Sequence, residues 1–239
     1  MSARFFCPDP PVDGRQRLGA GEARHLSRVC RLGVGDVVEV FDGRGFATTS
    51  KVITVGDDWV ELTAVGPPLA ERPPPCRLTL ASAVPKGDRF DWLVEKATEM
   101  GVERLIPIVT DRSVVEPGSG KLSRLRRSII EASKQCRRNR LMVLDPPMRW
   151  SDLAGCCPGL WKFVADPAGL PASRVAAIPH GQAVILAVGP EGGFTASERE
   201  LADQTGWLSI SLSVNTLRIE TAGLAGCSAL FARAEESNE

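Results

Sequence analysis

A chain of 239 residues, 43% hydrophobic and 24% charged, has the make-up of a soluble globular protein, long enough for one large domain or two unequal ones. Its 29 basic and 29 acidic residues cancel, so overall charge gives no support to a nucleic-acid partner, and no apolar run approaches the roughly 18 residues needed to span a membrane. Seven cysteines, an odd number with no CxxC pair, and only two histidines leave little for a zinc site; no metal is expected, and reduced thiols in a cytoplasm fit best.

The N-terminal MSARFFCPDPP has no apolar core and reaches proline early, which argues against a signal peptide. Short β-rich runs follow at Val37–Phe41, Phe46–Val55 and Trp59–Val65, separated by turn chemistry at Asp42-Gly43-Arg44-Gly45 and Gly56-Asp57-Asp58. These predict a small barrel or sandwich over residues 1–72. Two proline clusters, Pro67-Pro68 and Pro73-Pro74-Pro75, mark an extended linker near residue 70. From residue 73 to 239 the pattern changes. Arg77–Val84 alternates as a strand, and Asp88–Met100 reads as a helix with Leu93, Ala97 and Met100 on one face and Gly101 as its stop. Further strands are expected at Leu105–Val109, Trp161–Ala165, Ala183–Val188 and Leu208–Leu212, with a closing helix over about Glu220–Glu235. Strands alternating with helices imply an α/β domain on a mainly parallel sheet covered on both faces.

Three segments carry candidate chemistry. Val184–Val188 is a buried-type strand running into Gly189-Pro190-Glu191-Gly192-Gly193, and Thr195 with Glu198 has the spacing of a capping box that starts a helix. Such a turn lets backbone groups approach a ligand, or is simply a tight strand-to-helix connection; it is neither a phosphate loop nor a GxGxxG fingerprint. Thr216-Leu217-Arg218-Ile219-Glu220-Thr221-Ala222 opens the last helix, where physical reasoning alone favours surface electrostatics for the Arg–Glu pair. Between Lys121 and Arg140, eight basic residues (Lys121, Arg124, Arg126, Arg127, Lys134, Arg137, Arg138, Arg140) stand against one acid, Glu131. This stripe is a possible RNA footprint or a solvated helix face.

A resemblance joins these segments. Arg4-Phe5-Phe6, His25-Leu26 with Arg31, Gly35-Asp36 and Asp42-Gly43 come first. Lys86-Gly87-Asp88-Arg89, Glu95–Val102, Arg112-Ser113, Gln135 with Arg138-Asn139, Gly189–Gly193, and Leu217-Arg218 with Glu220-Thr221-Ala222 follow in the same order. Nearly the whole chain thereby resembles the bacterial small-subunit (16S) ribosomal RNA uridine-N3 methyltransferases of the SPOUT superfamily. The resemblance implies an N-terminal PUA-like β-barrel that binds RNA, a C-terminal α/β domain with a deep trefoil knot, a homodimer, and S-adenosylmethionine as cofactor. One run departs from the family's Leu-Gly-x-Arg/Lys-Ile-Leu-Arg: here it is Leu212-Ser213-Val214-Asn215-Thr216-Leu217-Arg218.

By the same resemblance the cofactor belongs among Leu186, Val188, Gly189, Pro190, Glu191, Gly192, Gly193, Leu212, Ser213, Asn215, Thr216 and Leu217. Arg218, Asn139 and Glu220 are the catalytic candidates: Arg218 to stabilise charge on the base, Asn139 to orient it, and Glu220 to hold Arg218 or accept the proton. Arg4, Lys86, Arg89, Arg112, Gln135, Arg137 and Arg138 are candidates for RNA contact. Two other readings remain open at this point, a non-catalytic RNA-binding or ribosome-assembly factor and a knotted methyltransferase with another RNA target.

Overall fold

The structure is a computed structural model and describes residues 3–156 and 158–235. The chain divides into two compact units, Met1–Arg72 with Ile130–Leu141, and Pro73–Ile129 with Met142–Glu239.

The first unit holds β1 (Arg4–Phe6), β2 (Arg15–Leu18), α1 (Ala20–Arg24), β3 (Val37–Phe41), β4 (Phe46–Val55), β5 (Val60–Ala64) and β6 (Leu69–Ala70). They form one sheet in the order β1-β3-β4-β5-β2, with β6 beside β4; only the β1/β3 pairing is parallel. Alternation decides the inner face: Val38 and Val40 of β3 and Val60 and Leu62 of β5 meet Phe5, Leu18 and Leu26 in the core. The β3–β4 turn is held by one carboxylate, since Asp42 accepts from the N–H groups of Arg44, Gly45 and Phe46 at 2.7, 3.1 and 3.0 Å. Gly43 and Gly45 supply the left-handed backbone this requires, at φ of 75° and 116°.

Two features differ from the sequence-based expectation. The proline-flanked stretch is no free linker: Leu69 and Ala70 pair with Ala47 and Phe46, and the Glu71 carboxylate accepts from the N–H groups of Asn139 and Arg140. Prolines cannot donate to a ladder, but the residues between the two clusters can. Residues 130–141 also belong to this unit. Arg140 bridges to Gly43 and Arg44, the Leu141 N–H donates to the Gly43 carbonyl, and Lys134 pairs with Glu22 at 2.5 Å.

The second unit contains β7 (Arg77–Ala83), α2 (Arg89–Glu99), β8 (Arg104–Val109), α3 (Ser119–Cys136), β9 (Val143–Leu144), β10 (Met148–Arg149), α4 (Trp150–Gly155), β11 (Trp161–Pro171), β12 (Ala183–Val188), α5 (Ala196–Gln204), β13 (Leu208–Ser211) and α6 (Ile219–Glu235). The last turns of α3, from Ile130, count with the first unit. The sheet runs β10-β8-β7-β12-β11-β13, with β9 beside β8, and every pairing is parallel. Val184–Val188 are buried without alternation, as befits a central parallel strand covered on both faces. The chain leaves β11, turns inward to β12, then passes outward to β13 on the other side of β11. That reversal gathers the carboxyl ends of three neighbouring strands, the place where α/β sheets bind ligands. Helix α6 packs on β7 and β12, and a Cβ at Gly226 would stand 2.4 Å from Leu186 Cδ2. Glycine there lets the helix sit close to the strand that feeds the candidate site.

Candidate functional site

One cleft lies at the ends of β11, β12 and β13, within the second unit. The β12 end contributes Val188, Gly189, Pro190, Glu191, Gly193 and Phe194, and the segment after β13 contributes Leu212, Ser213, Asn215, Thr216 and Leu217. Of the cofactor residues proposed from sequence, Leu186 and Gly192 do not line the cleft. Leu186 is fully buried inside β12, and Gly192 faces Arg112.

Sequence reasoning missed the third wall, Ala165, Asp166 and Pro167, together with Phe194, Arg199, Ile210, Ile219 and Ala222. The wall arises because β11 continues past the expected Ala165 after an irregularity between Ala165 and Leu170. Asp166 caps this excursion by accepting from the Ala168 N–H at 2.8 Å, and Gly169 passes so near β13 that a Cβ would meet the Ile210 nitrogen at 2.5 Å. Asp-Pro-Ala-Gly reads locally as an ordinary turn, so only its pairing to β13 reveals a wall.

The glycine turn is rigidly built. Gly193, at φ of 68°, donates its N–H to the Pro190 carbonyl at 2.8 Å. The Phe194 ring lies against Gly189, where a Cβ would come within 2.9 Å. Helix α5 starts as its capping box predicts: the Thr195 hydroxyl accepts from the Glu198 N–H, and the Glu198 carboxylate accepts from the Thr195 N–H. Across the cleft, Ser213 stands where the family carries glycine, yet its φ is not in the left-handed region, and its hydroxyl accepts from the Asn215 N–H at 3.1 Å. Serine therefore closes this turn without strain.

Phe194, Ile210, Leu217 and Ile219 give the cleft apolar walls, while Asp166 and Glu191 supply two carboxylates against one guanidinium, Arg199. A largely apolar slot with excess negative charge suits a flat heteroaromatic ligand that carries positive charge. S-adenosylmethionine, an adenosine joined through a sulfonium to an amino-acid group with one ammonium and one carboxylate, carries a net positive charge and has that make-up.

At the cleft's edge the catalytic candidates separate. Arg218 lies between the lining residues Leu217 and Ile219; its side chain is exposed and has no hydrogen bond or ion pair among the described residues. Glu220 is buried in the first turn of α6, and its Oε2 has no hydrogen-bond partner among the described residues. Its Oε1 is 3.9 Å from Arg89, which stands equally far from Glu191, so Glu220 pairs with Arg89 and not with Arg218. Asn139 belongs to the first unit, is buried, and accepts at its amide oxygen from Arg4.

The RNA candidates fare unequally. Arg4 is buried, donates to the Ser133 carbonyl at 2.7 Å, pairs with Glu39 at 2.7 Å and lies over the Phe41 ring. Burial lowers its pKa, with Glu39 opposing the shift. It is a structural tie, out of reach of a polyanion, and Arg138 is likewise buried. Arg137 is exposed but pairs with Glu39 at 2.6 Å, and its backbone takes a left-handed φ of 64° just after α3. Lys121 and Arg124 share Asp91. Much of the basic stripe is thus neutralised, a fact hidden in the sequence because the acids lie up to 112 residues away. Lys86 and Gln135 are exposed.

A family model described as an RNA methyltransferase domain matches residues 72–231, and one described as an RNA methyltransferase PUA domain matches residues 18–64. Ribosomal RNA small subunit methyltransferase E of Synechocystis sp. is 29% identical over 90% of this chain and 72% of its own length. The Bacillus subtilis protein of the same name is 28% identical over 90% and 88%. The crystal structure of a Neisseria gonorrhoeae ribosomal RNA small subunit methyltransferase E bound to S-adenosyl methionine superposes with a TM-score of 0.89 at 26% identity, covering 97% of this chain and 98% of that one. A Legionella pneumophila methyltransferase in complex with the same cofactor gives 0.87 at 28% identity, with the same coverage. The chain belongs to the RNA methyltransferase family, pairing its methyltransferase domain with the PUA domain that accompanies it.

Proposed function

We propose that the protein methylates N3 of a uridine in small-subunit (16S) ribosomal RNA, using S-adenosylmethionine held in the cleft at the ends of β11, β12 and β13. The cleft carries the reading: three strand ends, an apolar slot and two carboxylates converge in the domain that matches the family model. Small-subunit ribosomal RNA methylation is the activity in the names of the full-length relatives, and two structural neighbours were solved with the cofactor.

When bound, S-adenosylmethionine supplies an electrophilic methyl group on a sulfonium centre. The chain's own residues do the rest. Phe194, Ile210, Leu217 and Ile219 would sandwich the adenine, and Asp166 and Glu191 would favour the cationic end. N3 of uracil lies on the pairing edge, so the base must arrive unpaired or flipped. Arg218, with no partner holding it among the described residues, stabilises negative charge on the uracil oxygens as the N3 proton leaves. Glu220 accepts that proton; its Oε2, without a hydrogen-bond partner among the described residues, and its pairing with Arg89 favour this role over that of a brace for Arg218. Asn139, in the first unit, has its amide oxygen engaged by Arg4 and keeps only the N–H groups of its amide for the RNA. Lys86 and Gln135, both exposed, are the polar groups offered to the RNA.

The trefoil threading and the homodimer belong to the same proposal and come from the family. The insertion of β12 between β7 and β11 supports the first, and the half-buried Leu224 and Phe231 on α6 support the second. Activity on ribosomal RNA implies a cytoplasmic protein, in keeping with free thiols at Cys7, Cys30, Cys76, Cys136 and Cys227. Calorimetric titration with S-adenosylmethionine and its demethylated product tests the cofactor assignment. Saturable binding is expected; no binding of either ligand at millimolar concentration would remove the reading.

A further inference from the structure

The loop that follows β8 packs against the back of the glycine turn. The turn Gly189–Gly193 faces the cleft on one side, but its other side is covered by residues 110–113, from a strand two places away in the sheet. The Arg112 guanidinium donates to the Gly192 carbonyl at 2.5 Å, and a Cβ on Gly192 would meet Arg112 Cδ at 3.2 Å, so the arginine stem lies along the glycine. Next to it, the Asp111 N–H donates to Glu198 Oε1 at 2.9 Å, and the Thr195 hydroxyl lies 3.4 Å from Asp111 Oδ2. Glu198 is the residue whose other oxygen closes the α5 capping box. The loop is itself tied down, since the Thr110 N–H donates to Ser113 Oγ at 2.9 Å and the Ser113 N–H donates to the Thr110 carbonyl at 3.0 Å. Trp150 completes the backing, with its indole N–H on the Glu198 carbonyl at 3.1 Å and its ring 4.7 Å from Phe194.

We infer that Arg112 is a positioning residue for the cofactor, acting through Gly192, and not a ligand of the RNA phosphates. A turn with two adjacent glycines has many backbone states, and a loop that must cradle a ligand binds it better when those states are already removed. Arg112 removes them by a charge-assisted bond to the Gly192 carbonyl, on the side of the turn away from the cleft. Its charge makes it resemble a phosphate contact in the sequence, but its Nη1 is committed to the Gly192 carbonyl and its stem lies along the glycine. This inference rests on the cleft being the S-adenosylmethionine site.

The test compares the parent with Arg112→Ala and Arg112→Lys by calorimetry with S-adenosylmethionine, by salt-titrated RNA binding, and by thermal melting without ligand. The expected result is a cofactor Kd raised roughly fivefold or more in Arg112→Ala, the loss of one charge-assisted bond. Partial recovery is expected in Arg112→Lys, with RNA affinity and its salt dependence unchanged. Unchanged cofactor affinity in a folded Arg112→Ala, with the RNA salt slope reduced by about 0.7–0.9 as for one lost phosphate contact, overturns it. If Arg112→Ala does not fold, equal cofactor affinity of Arg112→Lys and the parent overturns it instead. Failure of the parent itself to bind cofactor would count against the proposed function, a different result from either.

Discussion

At the scale of single residues, environment separates side chains that look alike in the sequence. Arg218 and Arg4 are both arginines next to apolar neighbours, yet one is exposed with a guanidinium unengaged among the described residues and the other is buried in a ring of acceptors. Arg218→Ala should lower the single-turnover methyl-transfer rate by roughly 10²-fold, as for loss of a group that stabilises developing charge, while leaving cofactor affinity nearly unchanged. A parental rate in that variant would displace the catalytic centre. Ser213→Gly, which restores the family residue, should change cofactor affinity by less than about threefold, because the present backbone is unstrained and the hydroxyl closes the turn; a large gain on calorimetry would show that the departure weakens the site. Two buried thiols give a pH signature. Burial raises the Cys76 pKa to about 11 and pushes Cys227 higher still, with Cys76 adding to the latter shift. Below pH 9 the thiol is protonated in folded and unfolded chains alike and the stabilisation is fully present. As pH rises from 9 to 11 only the unfolded chain ionises, so stability falls by about 1.4 kcal/mol per pH unit for that group. Denaturation of the parent and Cys76→Ala across this range should show a shallower fall in the variant, and equal slopes would contradict the burial argument.

At the scale of elements, legibility followed length and pattern. Strands β3 and β4 begin and end where alternation and turn residues put them, and β12 was readable as an unbroken apolar run. Strands β1, β2, β6, β9 and β10 have two to four residues, too few to show a period of two. The candidate cleft was half visible: a glycine turn after a strand announces itself, but Asp166 to Gly169 becomes a wall only through a register irregularity against β13. The structural use of α3's last turns was invisible, since it depends on Glu22, Glu39 and Glu71, far away in the chain. Arg4→Met tests that use. It strips the Asn139 oxygen, the Ser133 carbonyl and Glu39 of a shared donor, and should cost about 3 kcal/mol or more, the range for breaking a buried ion pair. Denaturant midpoints that do not move, alongside weakened RNA binding, would return Arg4 to the RNA. On α6, Gly226→Ala should destabilise by about 1–2 kcal/mol, because displacing Leu186 outweighs the gain in helix propensity; a raised midpoint in urea would mean that the helix–strand contact is looser than the geometry shows.

At the scale of the whole molecule, two units with different sheets divide the work. The mainly antiparallel PUA-like unit carries the buried ionic ties that lock the end of α3, and the parallel unit carries the cleft, Arg218 and Glu220. Net charge of zero is compatible with an RNA substrate because recognition need not come from a uniform field. The central claim is methylation of one uridine at N3, and mass mapping of small-subunit ribosomal RNA tests it most directly. RNA from a strain lacking the gene is mapped before and after incubation with the purified protein and S-adenosylmethionine. One uridine is expected to lack a methyl group in the deletion strain and to regain it at N3 on addition of the protein, with Arg218→Ala failing to restore it. A small-subunit RNA already fully methylated in the deletion strain, or a methyl group appearing on a ribose or another base, would contradict that claim.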